Sequence, residues 1–155
     1  MTNEIEQLSE QLYFSDIEKL VSSGHSVKIP IEGNSMYPFL IDGRDHVSIK
    51  KDGTISKGDI ILVKTPEHQY ILHRVYNISH DKYILMGDRN LHILEVCMKK
   101  NIIGKVYEIE RNGKKINPYS FSERIKATVW RTLRPVRRYL INLLSVINDD
   151  LKKEN

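Results

Sequence analysis

The sequence predicts a mainly β protein, a coiled antiparallel or mixed β-structure with an N-terminal helix and a C-terminal basic amphipathic helix. Short apolar runs broken by turn dipeptides fill the middle of the chain. No stretch between those runs is long enough for a crossover helix, which removes repeated βαβ units. At both ends the apolar spacing changes from the strand period to the helical one.

The elements follow in order. Residues 3–22 carry Ile5, Leu8, Leu12, Phe14, Ile17 and Leu20 at a spacing of three to four and stop before Gly24. Residues 1–24 therefore read as an amphipathic helix with a glycine stop. Strands are expected at 27–31, 46–50, 59–64, 70–76, 82–86 and 102–109, all rich in Val, Ile and Tyr. Asp42-Gly43, Asp52-Gly53, Lys57-Gly58 and Gly87-Asp88 separate them, giving a β-rich domain over 25–115. A last helix is expected over 120–150, opened by Ser122 and carrying Ile125, Val129, Trp130, Leu133, Val136, Leu140, Leu143, Leu144 and Ile147 at helical spacing. Pro135 lacks an N–H and should kink or split it.

With 155 residues the chain has room for one domain with a real core. Its 40% hydrophobic and 28% charged residues are the balance of a globular protein, not a disordered one. The net charge of +4 matters only where basic residues cluster. A single cysteine, Cys97, excludes an internal disulfide framework and every multi-cysteine zinc pattern. The N-terminus has acidic residues throughout, unlike a secretory signal, and no window reaches the ~20 apolar residues of a spanning helix. A cytoplasmic or peripheral membrane location is expected.

The chemistry concentrates in the stretch Glu32-Gly33-Asn34-Ser35-Met36-Tyr37-Pro38-Phe39-Leu40. A serine after small, turn-forming residues, with a proline three positions on, suits a hydroxyl displayed on a tight turn with its backbone N–H free for an oxyanion. Downstream lie Gly58-Asp59-Ile60-Ile61-Leu62-Val63, Ile71-Leu72-His73-Arg74-Val75 and Met86-Gly87-Asp88-Arg89-Asn90. In this order the four blocks resemble the boxes of type I signal peptidases and their LexA-like relatives, over residues 26–109.

The resemblance implies a coiled β-fold and a serine endopeptidase with Ser35 as nucleophile. His73 stands where bacterial signal peptidases and LexA-like proteins carry a lysine. The endoplasmic-reticulum and archaeal type of signal peptidase carries a histidine there, and the chain is similar to that branch. Asp88 matches the aspartate of the GD-x-N box and is expected to orient His73. A serine needs a base beside it, and an ordinary histidine, with pKa about 6.5, is neutral at pH 7 without tuning. Two departures stand out. Gly33 replaces the second serine of the bacterial enzymes, so the oxyanion hole would rest on backbone N–H groups of Gly33, Asn34 and Ser35. The further aspartate often found past the GD-x-N box is absent, and His92 and Glu95 stand nearby.

The implied activity is cleavage of leader, signal or precursor peptides lying as extended strands, through an acyl-enzyme and with no metal or organic cofactor. A self-cleaving LexA-like regulator is the alternative, set second because residues 1–25 are too few for a DNA-binding domain and the base is histidine. A non-catalytic peptide-binding or membrane-associated module is the other.

His25, His46, His68, His80 and His92 read as surface or loop residues, with His46 kept as a rival base. Cys97 reads as a structural thiol and Met36 as packing. Asp42, Gly43, Asp45 and Asp59 read as scaffold. Residues 122–147 gather Arg124, Lys126, Arg131, Arg134, Arg137 and Arg138 against Glu123. This helix suits an anionic membrane surface, or it packs its apolar stripe on the β-core with the arginines in solvent. No nucleic acid is expected as a partner.

Overall fold

The computed structural model describes residues 2–90 and 94–144. It is a curled, wholly antiparallel sheet with a helix at either end. In chain order the elements are α1 (Thr2–Ser22), β1 (Val27–Pro30), β2 (Asp45–Lys50), β3 (Ile60–Lys64), β4 (Tyr70–Ser79), β5 (Lys82–Met86), β6 (Glu95–Met98), β7 (Ile102–Arg111), β8 (Lys114–Ile116) and α2 (Phe121–Thr132). All six expected strands form within a residue or three of their expected bounds. β6 and β8, four and three residues long, were too short for the period to reveal.

The strand order is β1-β2-β7-β3-β4-β5-β6, with β8 beside β7. Pairing shifts at Ser48/Ile49, Leu62/Val63 and Val75/Asn77 mark bulges, which deepen the twist and curl the sheet. β3 lies at its centre, and its alternation serves two cores. Ile60 and Leu62 join the cluster under α1, while Ile61 and Val63 join a second one with Val75, Tyr83, Leu85 and Cys97. Each such fully buried side chain stabilises by roughly 1.5–3 kcal/mol.

α1 is less amphipathic in place than its sequence suggests. Ile17 and Val21 are buried and Phe14 stacks on Tyr70 at 4.9 Å, whereas Leu8, Leu12 and Leu20 remain exposed. At the other end, α2 starts one residue before Ser122 and gives way to a 3-10 turn at Arg134–Val136, as Pro135 requires. Residues 137–144 are helical again. Ile147 and the expected end of this helix at 150 fall outside the described residues. No helix among the described residues is long and apolar enough to cross a membrane.

Candidate active site

Ser35 sits on a run of turns just past β1. Gly33, at φ +74°, reverses the chain in a conformation that costs a side-chain-bearing residue strain. Met36 and Leu40, 3% and 0% exposed, pin the turn to the core below, and Leu40 N–H donates to Met36 O at 3.0 Å. The Tyr37–Pro38 peptide bond is cis. Ser35 itself is left exposed. Among the described residues, the backbone N–H groups of Gly33, Asn34 and Ser35 donate to no protein acceptor, so they are available to an incoming oxyanion.

His73 comes from β4, opposite Ile61 of β3, and is 5% exposed. Its Nδ1 lies 2.9 Å from Glu95 Oε2. A carboxylate only accepts, so Nδ1 carries a proton, and in the neutral ring Nε2 keeps its lone pair. Gly87 shows where Nε2 points: a Cβ there would stand 2.6 Å from Ser35 O and 3.1 Å from His73 Nε2. Only a glycine lets loop 87–90 lie this close to both the Ser35 carbonyl and the imidazole. Arg89 N–H closes the contact by donating to Ser35 O at 2.9 Å. No hydrogen bond joins Ser35 Oγ to His73 among the described residues, and such contacts are often loose before substrate arrives. Both residues line one cleft of about 780 Å³ walled by Tyr13 and Phe14 of α1, Ile29–Ile31 and Tyr70–Leu72.

Asp88 is not where the sequence reading put it. Its carboxylate meets Arg74, with Arg74 Nη2 to Oδ2 at 2.7 Å and Nε to Oδ1 at 2.9 Å, while Arg74 Nη1 donates to Gly58 O at 2.9 Å. Successive side chains of a strand alternate, so Arg74 and His73 leave β4 on opposite faces and Asp88 follows the arginine. Burial alone would lower the Arg74 guanidinium, but the charge and hydrogen bonds of Asp88 outweigh it and hold it above its ordinary value. Glu95 takes the position beside His73 instead. β6 projects Glu95 and Cys97 to the same side, and Cys97 lies in the core cluster that β4 shares. The departure already visible past the GD-x-N box was the signal for it.

The other candidates separate cleanly from this site. His46 pairs across β2 with Pro30 and Glu110 and does not line the cleft, so it is no rival base. His25 bonds Ser23 Oγ at 2.9 Å, and His68 and His80 occupy exposed turns. His92 falls outside the described residues. Burial, and after it the Glu95 carboxylate, push the Cys97 thiol up to about 11, where it is a poor nucleophile. Asp59 accepts the Ser56 N–H at 2.8 Å and orders its turn. Burial would raise the Asp45 carboxyl, yet hydrogen bonds from Arg44, Arg111 and the Ile41 N–H hold it below the ordinary aspartate value.

The C-terminal cations also divide. Arg124, Lys126, Arg131 and Arg138 are exposed, but Arg137 is 3% and Trp130 8% exposed. The sequence reading placed Trp130 in an apolar stripe meant for a bilayer or for the β-core, and Arg137 among the outward cations; both turn inward onto loop 87–90.

A family model described as Peptidase S24-like matches residues 2–107. The chain is 28% identical over 112 residues to a LexA repressor of Lactobacillus acidophilus, covering 70% of this chain and 51% of that protein. It is 29% identical over 91 residues to a LexA repressor of Lactobacillus helveticus, covering 59% and 43%. A LexA repressor of Bacillus velezensis is 27% identical over 101 residues, covering 64% and 48%. The chain thus spans about half the length of the curated relatives it matches. With the curled antiparallel sheet, and a family match over well over half its length, this chain belongs to the Peptidase S24-like family.

Proposed function

We propose that the chain is a serine peptidase that cleaves an extended peptide with a Ser35–His73–Glu95 constellation. The observation that carries it is the His73 Nδ1–Glu95 bond, which leaves Nε2 turned toward the Ser35 turn. Ser35 Oγ attacks the scissile carbonyl while His73 Nε2 takes its proton, and the oxyanion is held by the backbone N–H groups of residues 33–35. His73 returns the proton to the leaving amine, and water, activated by the same base, releases the acyl group. Glu95 holds the tautomer and steadies the imidazolium, the role the sequence reading gave to Asp88. A histidine in place of lysine supports placing the chain beside the histidine-base branch.

Strand pairing supports an extended substrate. Among the described residues, β1 pairs only with β2, and Tyr70–His73 pair only with β3, because β5 joins β4 from Arg74 onward. Both unpaired edges border the cleft and offer main-chain groups to a peptide laid between them.

Two sources of that peptide are supported by different observations. The LexA repressor matches favour cleavage of a segment of the same polypeptide, as in a self-cleaving regulator. The open cleft and the histidine base favour a separate leader or precursor peptide. Incubating the purified protein alone and with leader peptides separates them. Concentration-independent fragmentation points to self-cleavage, and multiple turnovers to action in trans. Loss of either in Ser35→Ala and His73→Ala, by at least about 10³-fold, is expected. Equal product from wild type and Ser35→Ala would mean a non-catalytic module.

A partner surface is supported separately. Phe121, Ile125 and Val129, 81%, 46% and 49% exposed, form a stripe opposite Trp130, flanked by exposed Arg124, Lys126 and Arg131. That face suits an anionic bilayer. Binding to phosphatidylglycerol vesicles should fall in Phe121→Glu, and unchanged binding would remove the reading.

A further inference from the structure

The loop that lies against both Ser35 and His73 is held from behind by residues outside the span that matches the family. Trp130 Nε1 donates to Asp88 O at 2.8 Å. Arg137 Nη1 reaches Asp88 O at 3.3 Å and Asn90 O at 3.2 Å, and its Nη2 donates to Trp130 O at 2.9 Å. The guanidinium also lies over the Trp130 ring, 5.3 Å from its centroid. These two side chains are thus joined to each other and to two carbonyls of loop 87–90. A cavity of about 440 Å³ lies alongside, lined by Arg74, Asp88, Trp130 and Arg137. The helical segment therefore meets the loop here through specific donors and not through a fully packed apolar face.

The front of the same loop touches the backbone of Ser35 and the imidazole of His73. Arg89 N–H donates to Ser35 O, and Gly87 has no room for a Cβ beside Ser35 O and His73 Nε2. A loop so tightly inserted transmits any displacement to the distance between hydroxyl and imidazole. Misplacement of a reacting group by about 1 Å costs on the order of 10²-fold in rate.

We propose that Trp130 and Arg137 are positioning residues, a C-terminal clamp that sets loop 87–90 and through it the alignment of Ser35 with His73. This rests on the Ser35–His73 reading, and it makes the helical segment after the sheet a working part of the site. A charged guanidinium that is 3% exposed and directed at two loop carbonyls is costly to bury for packing alone. Its placement behind the loop accounts for that burial.

The test uses the full chain and a fluorophosphonate probe, with the limiting rate of Ser35 labelling separated from the probe's binding constant. Wild type should label and Ser35→Ala should not. Trp130→Phe keeps the ring and loses the donor, and Arg137→Gln loses the charge. Both should label about tenfold more slowly at saturating probe, with the binding constant and Tm little changed. Thr132→Ala, on the exposed side of the same helix, should label like wild type.

Wild-type rates in both variants would overturn the clamp while leaving the Ser35 reading intact. Slower labelling that tracks a fall in Tm would make the two residues merely structural and also overturn it. Should Arg137→Gln fail to fold, Trp130→Phe decides alone. A silent wild type would remove the catalytic reading and the clamp with it.

Discussion

Two neighbours on β4 meet two carboxylates in different surroundings. His73 bonds Glu95 at 2.9 Å, and the Glu95 side chain is 36% exposed at the edge of the sheet. Arg74 binds Asp88 through two nitrogens, and the two side chains are 15% and 8% exposed. The first pair leaves its imidazole a free nitrogen toward the cleft and some access to water. The second is sealed, bidentate and tied to Gly58 O, so it holds shape instead of moving protons. The difference teaches that an acid within a motif is assigned by the face it reaches, not by its distance along the chain.

The sharpest way to break this contrast is at the sealed pair. Arg74→Met leaves Asp88 buried without its cation, and urea unfolding should show a loss of about 3–5 kcal/mol. A loss under about 1 kcal/mol would mean that the pair is no scaffold. Glu95→Gln probes the open pair. There kcat/KM should drop on the order of 10²-fold, equivalent to about 2.7 kcal/mol of barrier, while the unfolding midpoint moves little. Lost stability with unchanged turnover would exchange the roles of the two carboxylates.

Asp45 extends the comparison to a third carboxylate, with 0% of its side chain exposed between Arg44 and Arg111. Its folded-state pKa is depressed, so its stabilisation is complete above the unfolded aspartate value near 4 and disappears as pH falls through the lower folded value. Wild type should therefore exceed Asp45→Asn by about 2–3 kcal/mol at pH 7, and the gap should close below about pH 4. A pH-independent gap would contradict this. The smallest effect is expected at Cys97, whose thiol stays protonated at pH 8. Iodoacetamide should leave native protein unmodified and active, and rapid alkylation would show that β6 opens.

Much of this was legible in the residues. Six of the eight strands announced themselves because they gather Val, Ile and Tyr in short runs set off by turn residues. That Ser35 and His73 would share one cleft was legible because their blocks fix both residue type and order. Glu95 was not, because β6 is four residues long and the choice between Asp88 and Glu95 depends on which face of β4 each can reach. Arg137 was misread for a related reason. Periodicity finds a helix's faces but not which of them the sheet will claim, and an arginine is counted as outward by default.

The stretch Tyr70–His73, paired on its β3 side and open on the other, also bears on how the sheet could close. Within the run β1-β2-β7-β3-β4, the first strand and the half of β4 that β5 leaves uncovered border the cleft, while β5 and β6 continue the sheet beyond. A peptide hydrogen-bonded to both would close these five strands into a ring for the lifetime of the complex, with β5 and β6 left as an extension outside it. Backbone amides on both flanking edges would then exchange more slowly with deuterium while the peptide stays, and recover on its departure. Product release would be the reopening of a ring.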